Sequence, residues 1–572
     1  MMNETTSAME QSQRFSFCSP WRTTPWRNLS CAFLLAMASA PVALRAAPAQ
    51  ASGEREARGS EFQFVASVPF ADATGKRLTT DAYLWIPEQC QKVRGLVLAQ
   101  QNVAEQALVE NPAIRQACRE VDMAIVWFYP AFAGLFEHPD QDGAVLQNAL
   151  NELTTVSGYE EIATAPWISF GHSTMGQFAQ RLANWKPERC IAQIVFKSGM
   201  DFTLPNNRQV PLFELGGQFT EWNQQKKDWT EKVAPNFWAP AAISKDRALT
   251  RRPMSYLLEC GSSHFVMTEA EANMIAMYIR KAAAARLPAG ADGKLKAADI
   301  DGGWVVDLNM VNPKRSPAQP VETAKDEVRN GVWFFDEEMA KAVEKNMNVN
   351  WKRKTQVPVL INANGTIPSF DSRGLLNWIP PAPAEDGVTI HVKTAFLEKV
   401  PTNFTIGAGQ PLGHSSKGPI QIRWLGGNVE VTGPDEIRMT IDRRRTVYSA
   451  MIWVRHPGDD EYRPSIQPVG TGIISNRAGK PQKITFPNIP DQPAGTRQLE
   501  LQATSDAGMP VEYCVIVGPA TVSGKALTFT GIPPRSRFPI KVTVFAYQYG
   551  RPAEPAVQSA HWVEQSFLIL GK

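Results

Sequence analysis

Two patterns of apolar and polar positions follow one another along the chain and predict two kinds of architecture. From Phe62 to about Leu287, short apolar or β-branched runs alternate with longer amphipathic stretches. This alternation is typical of βαβ units around a mostly parallel sheet. Beyond Val357, apolar and polar residues alternate with period two, and Pro and Gly are frequent. We therefore expect an open, mostly parallel α/β sheet with flanking helices, followed by all-β, sandwich-like C-terminal domains.

The apolar runs of the first region place its individual elements. Predicted strands are Ala82–Ile86, Gly95–Ala99, Met123–Phe128, Trp167–Phe170, Ile191–Phe196, Pro211–Leu215 and Ser255–Leu258. Predicted helices are Pro112–Glu120, Gly143–Thr155, Met175–Trp185, Asn223–Val233 and Thr268–Ala285.

The length of the chain predicts several domains. A single hydrophobic core stops growing near ~250–300 residues, and this chain has 572. The composition changes predict a signal peptide over residues 1–51, an α/β catalytic domain over 52–287, a mixed connecting subdomain over 288–356, a β-rich domain over 357–490 and an Ig-like sandwich over 491–572.

The N-terminal leader predicts export. The apolar run Leu29–Leu44 follows Arg22 and Arg27 and precedes the small residues of Ala49-Gln50-Ala51, which is the pattern of a secretory signal. A membrane anchor is the alternative, but the run is shorter than the ~20 residues of a spanning helix and contains Pro41. We expect a secreted or periplasmic protein with no stable membrane span after processing.

Charge and cysteine content exclude several partners. The formal net charge of +3 gives no reason to expect nucleic acid or an anionic membrane. None of the five cysteines beyond the leader has the spacing of a zinc site, so no metal is expected. Because exported proteins meet an oxidising compartment, we predict a disulfide between Cys90 and Cys118, with two separate buried thiols as the alternative.

A strand-turn-helix segment carries the candidate nucleophile. Within Trp167–Phe178, a predicted strand passes through Gly171-His172-Ser173 into a predicted helix. Such a turn lifts a serine hydroxyl above the sheet edge, and the N–H of Thr174 at the helix start then faces the developing oxyanion. Ser173 is the predicted nucleophile and Thr174 a predicted oxyanion donor.

A serine hydroxyl needs a general base, and three histidines lie before Pro288. His138 precedes the nucleophile in the chain. His172 adjoins Ser173 on the turn and is expected to point away from it; we group it with the substrate-binding candidates. His264 follows Ser173 in the chain and lies in a loop between an apolar strand and a helix. A loop in this position carries the catalytic histidine in sites of this type, so His264 is the predicted base.

The acid that orients the histidine and the second oxyanion donor are predicted from neighbouring loops. Glu221, just beyond the Gly216-Gly217 turn, is the predicted acid, and Asp201 is the alternative. Gln101 or Asn102, in the loop after the strand Gly95–Ala99, is expected to supply the second donor.

The segment GHSTMGQFAQRLANWKPERCIAQIVFKSG resembles part of the α/β-hydrolase superfamily, notably its polyhydroxyalkanoate-depolymerase and feruloyl-esterase-like branch. The resemblance covers about Phe62–Leu287 and implies a serine carboxylesterase that needs no cofactor, although Met175 stands where the usual motif has glycine. The G-x-S-x-x-G spacing is also similar to that of glucuronoyl esterases, but Thr174 and Gln177 replace the arginine and lysine expected there. Hydrolysis of a uronate methyl ester is therefore an alternative specificity.

The surroundings of the site predict the size of the substrate. Only some ten residues, mainly Asp201–Gln209, separate the strand carrying Phe196 from the strand carrying Phe213, where relatives insert a lid, so we expect an open site that admits a bulky or polymeric ester. Trp222, Trp229 and Trp238 follow the predicted acid and are candidates for stacking on substrate, with ordinary helix packing as the alternative.

The C-terminal extension suggests attachment to a surface. GPATVSGKALTFTG is similar to Ig-like modules appended to secreted bacterial enzymes, which implies binding to a surface or polymer. A non-catalytic, secreted carbohydrate-binding or adhesion protein on a hydrolase fold is the alternative function.

Overall fold

A computed structural model describes residues 62–571 except for residues 73, 220–238, 290–292, 309, 311–313, 363–364, 368–369, 371–376, 380–381, 402–408, 428, 442–448 and 473–475. The predicted signal peptide and helix Asn223–Val233 lie outside the described residues. So do Glu221 and the tryptophans predicted to contact substrate, Trp222, Trp229 and Trp238. Among the helices that are described, none is long and apolar enough to cross a membrane.

A mixed eight-stranded sheet forms the centre of the first region. Its strands are β1 (Phe64–Ala71), β2 (Arg77–Trp85), β3 (Gly95–Gln100), β4 (Met123–Tyr129), β5 (Trp167–His172), β6 (Cys190–Phe196), β7 (Leu212–Gly217) and β8 (Met254–Glu259), in the order β1-β2-β4-β3-β5-β6-β7-β8. β1, β2 and β4 pair antiparallel, whereas β4, β3 and β5 to β8 pair parallel. The predicted open, mostly parallel sheet is therefore confirmed.

Helices cover both faces of this sheet. They are α1 (Glu105–Val109), α2 (Pro112–Glu120), α3 (Pro139–Ser157), α4 (Met175–Trp185), α5 (Ala239–Thr250) and α6 (Glu269–Arg286). Alternate residues of β3 point to opposite faces. Val97 and Ala99 belong to the core that contains α2 and α6, and Leu96 and Leu98 to the core that contains α3 and α4.

The two residues of the predicted disulfide, Cys90 and Cys118, lie in different cores. Cys90 lies in the core on the α3 side of the sheet, and Cys118 lies in the core on the α2 side. Both are free, buried thiols, and burial raises the pKa of each to about 12. The predicted disulfide is wrong, because the two residues flank one βα unit in sequence but occupy opposite faces of the sheet.

The connecting region extends the core on the α6 side. Its strands are β9 (Trp304–Val306), β10 (Gln319–Pro320) and β11 (Val332–Phe334), and its helices are α7 (Asp326–Arg329) and α8 (Glu337–Lys352). Asp336 caps α8 by accepting a hydrogen bond from the N–H of Met339 at 3.0 Å. Val306, Phe334 and Val343 join the core that contains α6.

The C-terminal region is rich in strands that form several small sheets, as predicted. Before residue 480 they are β12 (Pro358–Ile361), β13 (Asn377–Ile379), β14 (Thr389–His391), β15 (Lys393–Phe396), β16 (Gln421–Gly426), β17 (Val429–Gly433), β18 (Glu436–Met439), β19 (Ser449–His456) and β20 (Ser465–Gly472). After it they are β21 (Ile484–Thr485), β22 (Gln492–Pro493), β23 (Gln498–Glu500), β24 (Thr504–Ser505), β25 (Glu512–Val517), β26 (Ala520–Ser523), β27 (Ala526–Phe529), β28 (Ile540–Tyr547) and β29 (Val563–Leu570). The largest of these sheets have four strands, in the orders β13-β20-β19-β16 and β22-β29-β28-β25. The Ig-like assignment and the domain boundaries stay predictions.

The C-terminal part of the chain is in direct contact with the first region. Val542 and Val544 of β28 share one apolar core with Leu150 and Leu153 of α3. The N–H of Arg537 donates to the carbonyl oxygen of Ser157 at 2.9 Å. The final module is therefore built onto the α/β sheet and is not joined to it by the chain alone.

Candidate active site

Ser173 occupies the sharp turn between β5 and α4. Its φ of 54° lies in the left-handed region, which a residue with a side chain rarely adopts. The N–H of Ser173 donates to the carbonyl oxygen of Phe196 at the end of β6, at 3.0 Å. Ser173 is partly exposed at the carboxyl edge of the parallel strands, which is where open α/β sheets bind ligands.

Close packing around the turn explains the G-x-S-x-x-G spacing. A Cβ on Gly171 would lie 1.8 Å from the carbonyl oxygen of Met175, and a Cβ on Gly176 would lie 2.4 Å from the Cβ of Ser198. Met175 itself is buried, and its sulfur accepts a hydrogen bond from Gln100 Nε2 at 3.0 Å. The turn therefore requires glycine before the serine and at the first turn of α4, and it accommodates methionine between them.

His264 lies beside the serine. Its Nε2 is 2.8 Å from Ser173 Oγ, which is hydrogen-bond distance. The residue is 7% exposed and lies in the loop between β8 and α6, as predicted from the sequence. The structure thus brings the predicted nucleophile and the predicted base into contact.

Two buried side chains hold the loop that carries His264. The ring Nε2 of His172 is 2.9 Å from the carbonyl oxygen of His264. Lys197 Nζ donates to the carbonyl oxygens of Ser263 and Val266, each at 2.7 Å. His172 is fully buried, so it supports the His264 loop and is not presented to a substrate, in contrast to its predicted role.

The ammonium of Lys197 belongs to a buried cluster of charges. It forms an ion pair at 3.0 Å with Glu271 of α6, and neither side chain is exposed. Burial and the nearby Glu271 raise the pKa of Glu259 to about 8. The raised pKa favours the neutral form of Glu259 beside the Lys197–Glu271 ion pair, which lowers the cost of burying a second carboxyl group there.

The acid of the site stays a prediction. Glu221 lies outside the described residues. The alternative acid, Asp201, accepts hydrogen bonds from the N–H and the hydroxyl of Thr203, at 2.9 and 2.6 Å. The Asp201 carboxylate is therefore engaged in its own turn and not with His264.

The residues predicted as oxyanion donors differ in whether their backbone N–H groups already have an acceptor. Thr174 is exposed and directly precedes α4, and the first N–H groups of a helix have no intrahelical acceptor. The backbone N–H of Gln101 donates to Phe128 at 2.9 Å, and that of Asn102 donates to Glu105 at 2.8 Å. Both backbone N–H groups therefore already have acceptors, whereas the side chain of Asn102 is exposed and carries an NH₂ group that can donate.

Sequence reasoning missed two residues near the site. Glu105 and Lys197 are both buried and charged, although each directly adjoins apolar sequence. A charged residue at the end of a buried strand, such as Lys197 after β6, is a signal that could have drawn attention to it. No comparable signal marks Glu105, because a glutamate at the start of a helix is ordinary.

The fold and the site together define an α/β-hydrolase-like region. Its features are the mixed eight-stranded sheet, a strained serine between strand and helix, and a histidine delivered after the last strand. Proteins that share a fold of this class can act on many different substrates, so the fold alone does not identify the substrate.

Comparisons with solved structures find similar proteins over about two fifths of the chain. A poly(aspartic acid) hydrolase-1 from Sphingomonas sp. KT-1 is 14% identical over 38% of this chain and 98% of its own, with a TM-score of 0.26. A poly(3-hydroxybutyrate) depolymerase from Bordetella parapertussis is 15% identical over 41% and 97%, with a TM-score of 0.27. An S-formylglutathione hydrolase from Agrobacterium tumefaciens is 14% identical over 38% and 94%, with a TM-score of 0.28. No protein-family model and no curated protein matches the chain.

Proposed function

We propose that this protein hydrolyses carboxylic esters through an acyl-enzyme formed on Ser173. The observation that carries the proposal is the 2.8 Å contact between His264 Nε2 and Ser173 Oγ at a strained strand-to-helix turn. A serine hydroxyl is a weak nucleophile unless an adjacent base removes its proton, and His264 is placed to do so.

The groups at the site account for both halves of the reaction. His264 takes the proton of Ser173 as Oγ attacks the ester carbonyl, and the Thr174 N–H and the Asn102 amide stabilise the oxyanion. His264 then protonates the departing alcohol. In the second half, His264 removes a proton from water, which attacks the acyl-enzyme; the carboxylic acid leaves and Ser173 regains its proton.

The proposed substrate is a bulky or polymeric ester, such as an acyl ester on a polysaccharide or a polyester, met outside the cytoplasm after export. Two features support it: Ser173 and Thr174 are accessible, and the connection from β6 to β7, residues 197–211, contains a single 3₁₀ turn at Asn206–Gln209 and no longer helix. A methyl ester of a uronic acid is the alternative substrate, and the absence of the arginine and lysine at Thr174 and Gln177 counts against it.

Replacement of the two contacting residues tests the proposal. We expect Ser173→Ala and His264→Ala each to lower kcat for a nitrophenyl ester about 10⁴-fold or more without loss of fold, because the pair acts as a unit. A fluorophosphonate probe should label the wild-type protein at Ser173 and leave Ser173→Ala unlabelled. Folded wild-type protein that neither hydrolyses esters nor takes up the probe would favour a non-catalytic binding protein instead.

Nitrophenyl esters of increasing chain length, followed by acetylated and feruloylated polysaccharides and a polyester film, then rank the substrate classes. A preference for a methyl-uronate ester over all of these would replace the proposed substrate with the alternative.

A further inference from the structure

A buried carboxylate joins the two segments that carry the oxyanion donors. Glu105, at the start of α1, is 1% exposed. Its Oε2 accepts hydrogen bonds from the N–H groups of Asn102 and Val103, at 2.8 and 3.0 Å. Its Oε1 accepts from the N–H of His172, the residue before Ser173, at 3.1 Å. One rigid, planar group therefore spans from the loop after β3 to the nucleophile turn.

The geometry assigns to Glu105 the role of a positioning residue for the oxyanion site. It holds the loop that carries Asn102 at a fixed distance from the turn that carries Ser173 and Thr174. This inference rests on the proposed ester hydrolysis and deepens it, because it names the group that sets the spacing between the two oxyanion donors. Preorganised donors stabilise a developing oxyanion only if they are already in place when the charge forms.

The role requires a carboxylate and not merely a polar side chain of the same shape. Three N–H groups point at Glu105, and an ionised carboxylate accepts at both oxygens. A glutamine has one acceptor oxygen and one NH₂ group. In Glu105→Gln the NH₂ group must therefore face a backbone N–H, either that of His172 or those of the Asn102 loop. The isosteric change thus breaks the link on one side and preserves the packing volume.

The buried position also fixes the conditions of the assay. Burial raises the pKa of Glu105 to about 7, partly offset by its backbone hydrogen bonds. The assays are therefore run at pH 8.5, about 1.5 pH units above that pKa, where most wild-type molecules carry an ionised Glu105 carboxylate.

The matched control lies at the other end of the same short helix. Glu110 follows α1 directly, is 7% exposed and accepts a hydrogen bond from Gln106 Nε2 at 3.2 Å. Glu110→Gln makes the same chemical change at a buried position whose hydrogen bond to Gln106 lies within one helical turn.

Steady-state kinetics and a transition-state analogue test the assignment. With a soluble nitrophenyl ester, we expect Glu105→Gln to lower kcat about 10- to 100-fold with KM changed less than about threefold. The affinity for an aryl trifluoromethyl ketone, whose adduct with Ser173 carries an oxyanion, should fall by a similar factor. Glu110→Gln should stay within about twofold of wild type in both measurements.

Several other outcomes would overturn the assignment of Glu105 as a positioning residue. Equal kinetics for Glu105→Gln and Glu110→Gln would overturn the assignment, and so would a raised kcat in Glu105→Gln, which would mean that the carboxylate blocks the Asn102 N–H. If Glu105→Gln does not fold, Glu105→Asp, which keeps the charge on a shorter side chain, takes its place. Its kcat should lie below that of the wild type, by less than the fall expected for Glu105→Gln. Wild-type kinetics in Glu105→Asp would also overturn the assignment. Failure of the proposed function is distinct, because the wild-type protein would then show neither turnover nor fluorophosphonate labelling.

Discussion

Gly171 shows at the scale of one residue how closely the turn is packed. Because its Cβ would lie 1.8 Å from the carbonyl oxygen of Met175, Gly171→Ala must displace the backbone that holds Ser173. We expect kcat to fall about 100-fold or more and the free energy of unfolding to fall by about 3 kcal/mol. Gly199→Ala is the matched control, since a Cβ there meets nothing within 4 Å. Near wild-type kinetics for Gly171→Ala would contradict the geometry of the turn.

Glu259 predicts a pH dependence of stability. Its pKa is raised to about 8 in the folded protein, whereas an unfolded glutamate titrates near ~4.3. Between these values the folded protein binds a proton that the unfolded chain has released, so stability falls as pH rises. Glu259→Gln still offers an acceptor to Asn346, which donates to Glu259 at 2.8 Å, but it cannot ionise.

Denaturant unfolding of both proteins at pH 5 and pH 8 checks this prediction. Relative to Glu259→Gln, the wild-type protein should lose stability over that range, while the contribution of Glu105 is common to both proteins and cancels. A constant difference between them would show that Glu259 is ionised throughout.

At the scale of elements, hydrogen bonds join the loop that begins at Gly261 to β20 and to the segment just before it. Arg463 donates to Gln218 Oε1 at 2.8 Å, and the same oxygen accepts the N–H of Gly261 at 2.8 Å. The N–H of Ile466 in β20 donates to the carbonyl oxygen of Gly261 at 3.0 Å. The C-terminal region therefore helps to hold the loop that carries His264.

Arg463→Met tests this connection. The change removes a buried, charge-assisted hydrogen bond and leaves its acceptors without the guanidinium, so we expect a loss of about 2–4 kcal/mol in the free energy of unfolding and about a tenfold fall in kcat. Arg497→Met, at an exposed position, is the control. A stability loss with unchanged kcat would separate the two effects and contradict a role in holding His264.

At the scale of the whole molecule, the final module shares its core with the first region. Deletion of Asp491–Lys572 would remove the apolar residues of β28 from the core that also contains residues of α3. We therefore expect the truncated protein to lose soluble-ester activity and melting temperature together. Full soluble-ester activity with an unchanged melting temperature, accompanied by loss of polymer binding, would support instead the separate attachment module that the sequence suggested.

Periodicity and local motifs were sufficient for the framework of this protein. α2 and α4 have the predicted bounds, and each predicted strand of the first region overlaps an observed one. The contact between Ser173 and His264 followed from a strand-turn-helix pattern and chain order. Such features depend on residues close together in sequence, or on the rule that parallel strands bring their carboxyl ends to one edge.

Tertiary structure alone decided which faces and which buried polar groups meet. The sequence pattern does not say that Cys90 and Cys118 lie on opposite faces of the sheet, nor that Glu105 bonds to the segment before Ser173. It likewise does not show that β28 and α3 contribute to one apolar core. Burial, the pairing of buried polar groups and the sharing of a core are set by residues far apart in the chain, so they appear only once the elements are packed together.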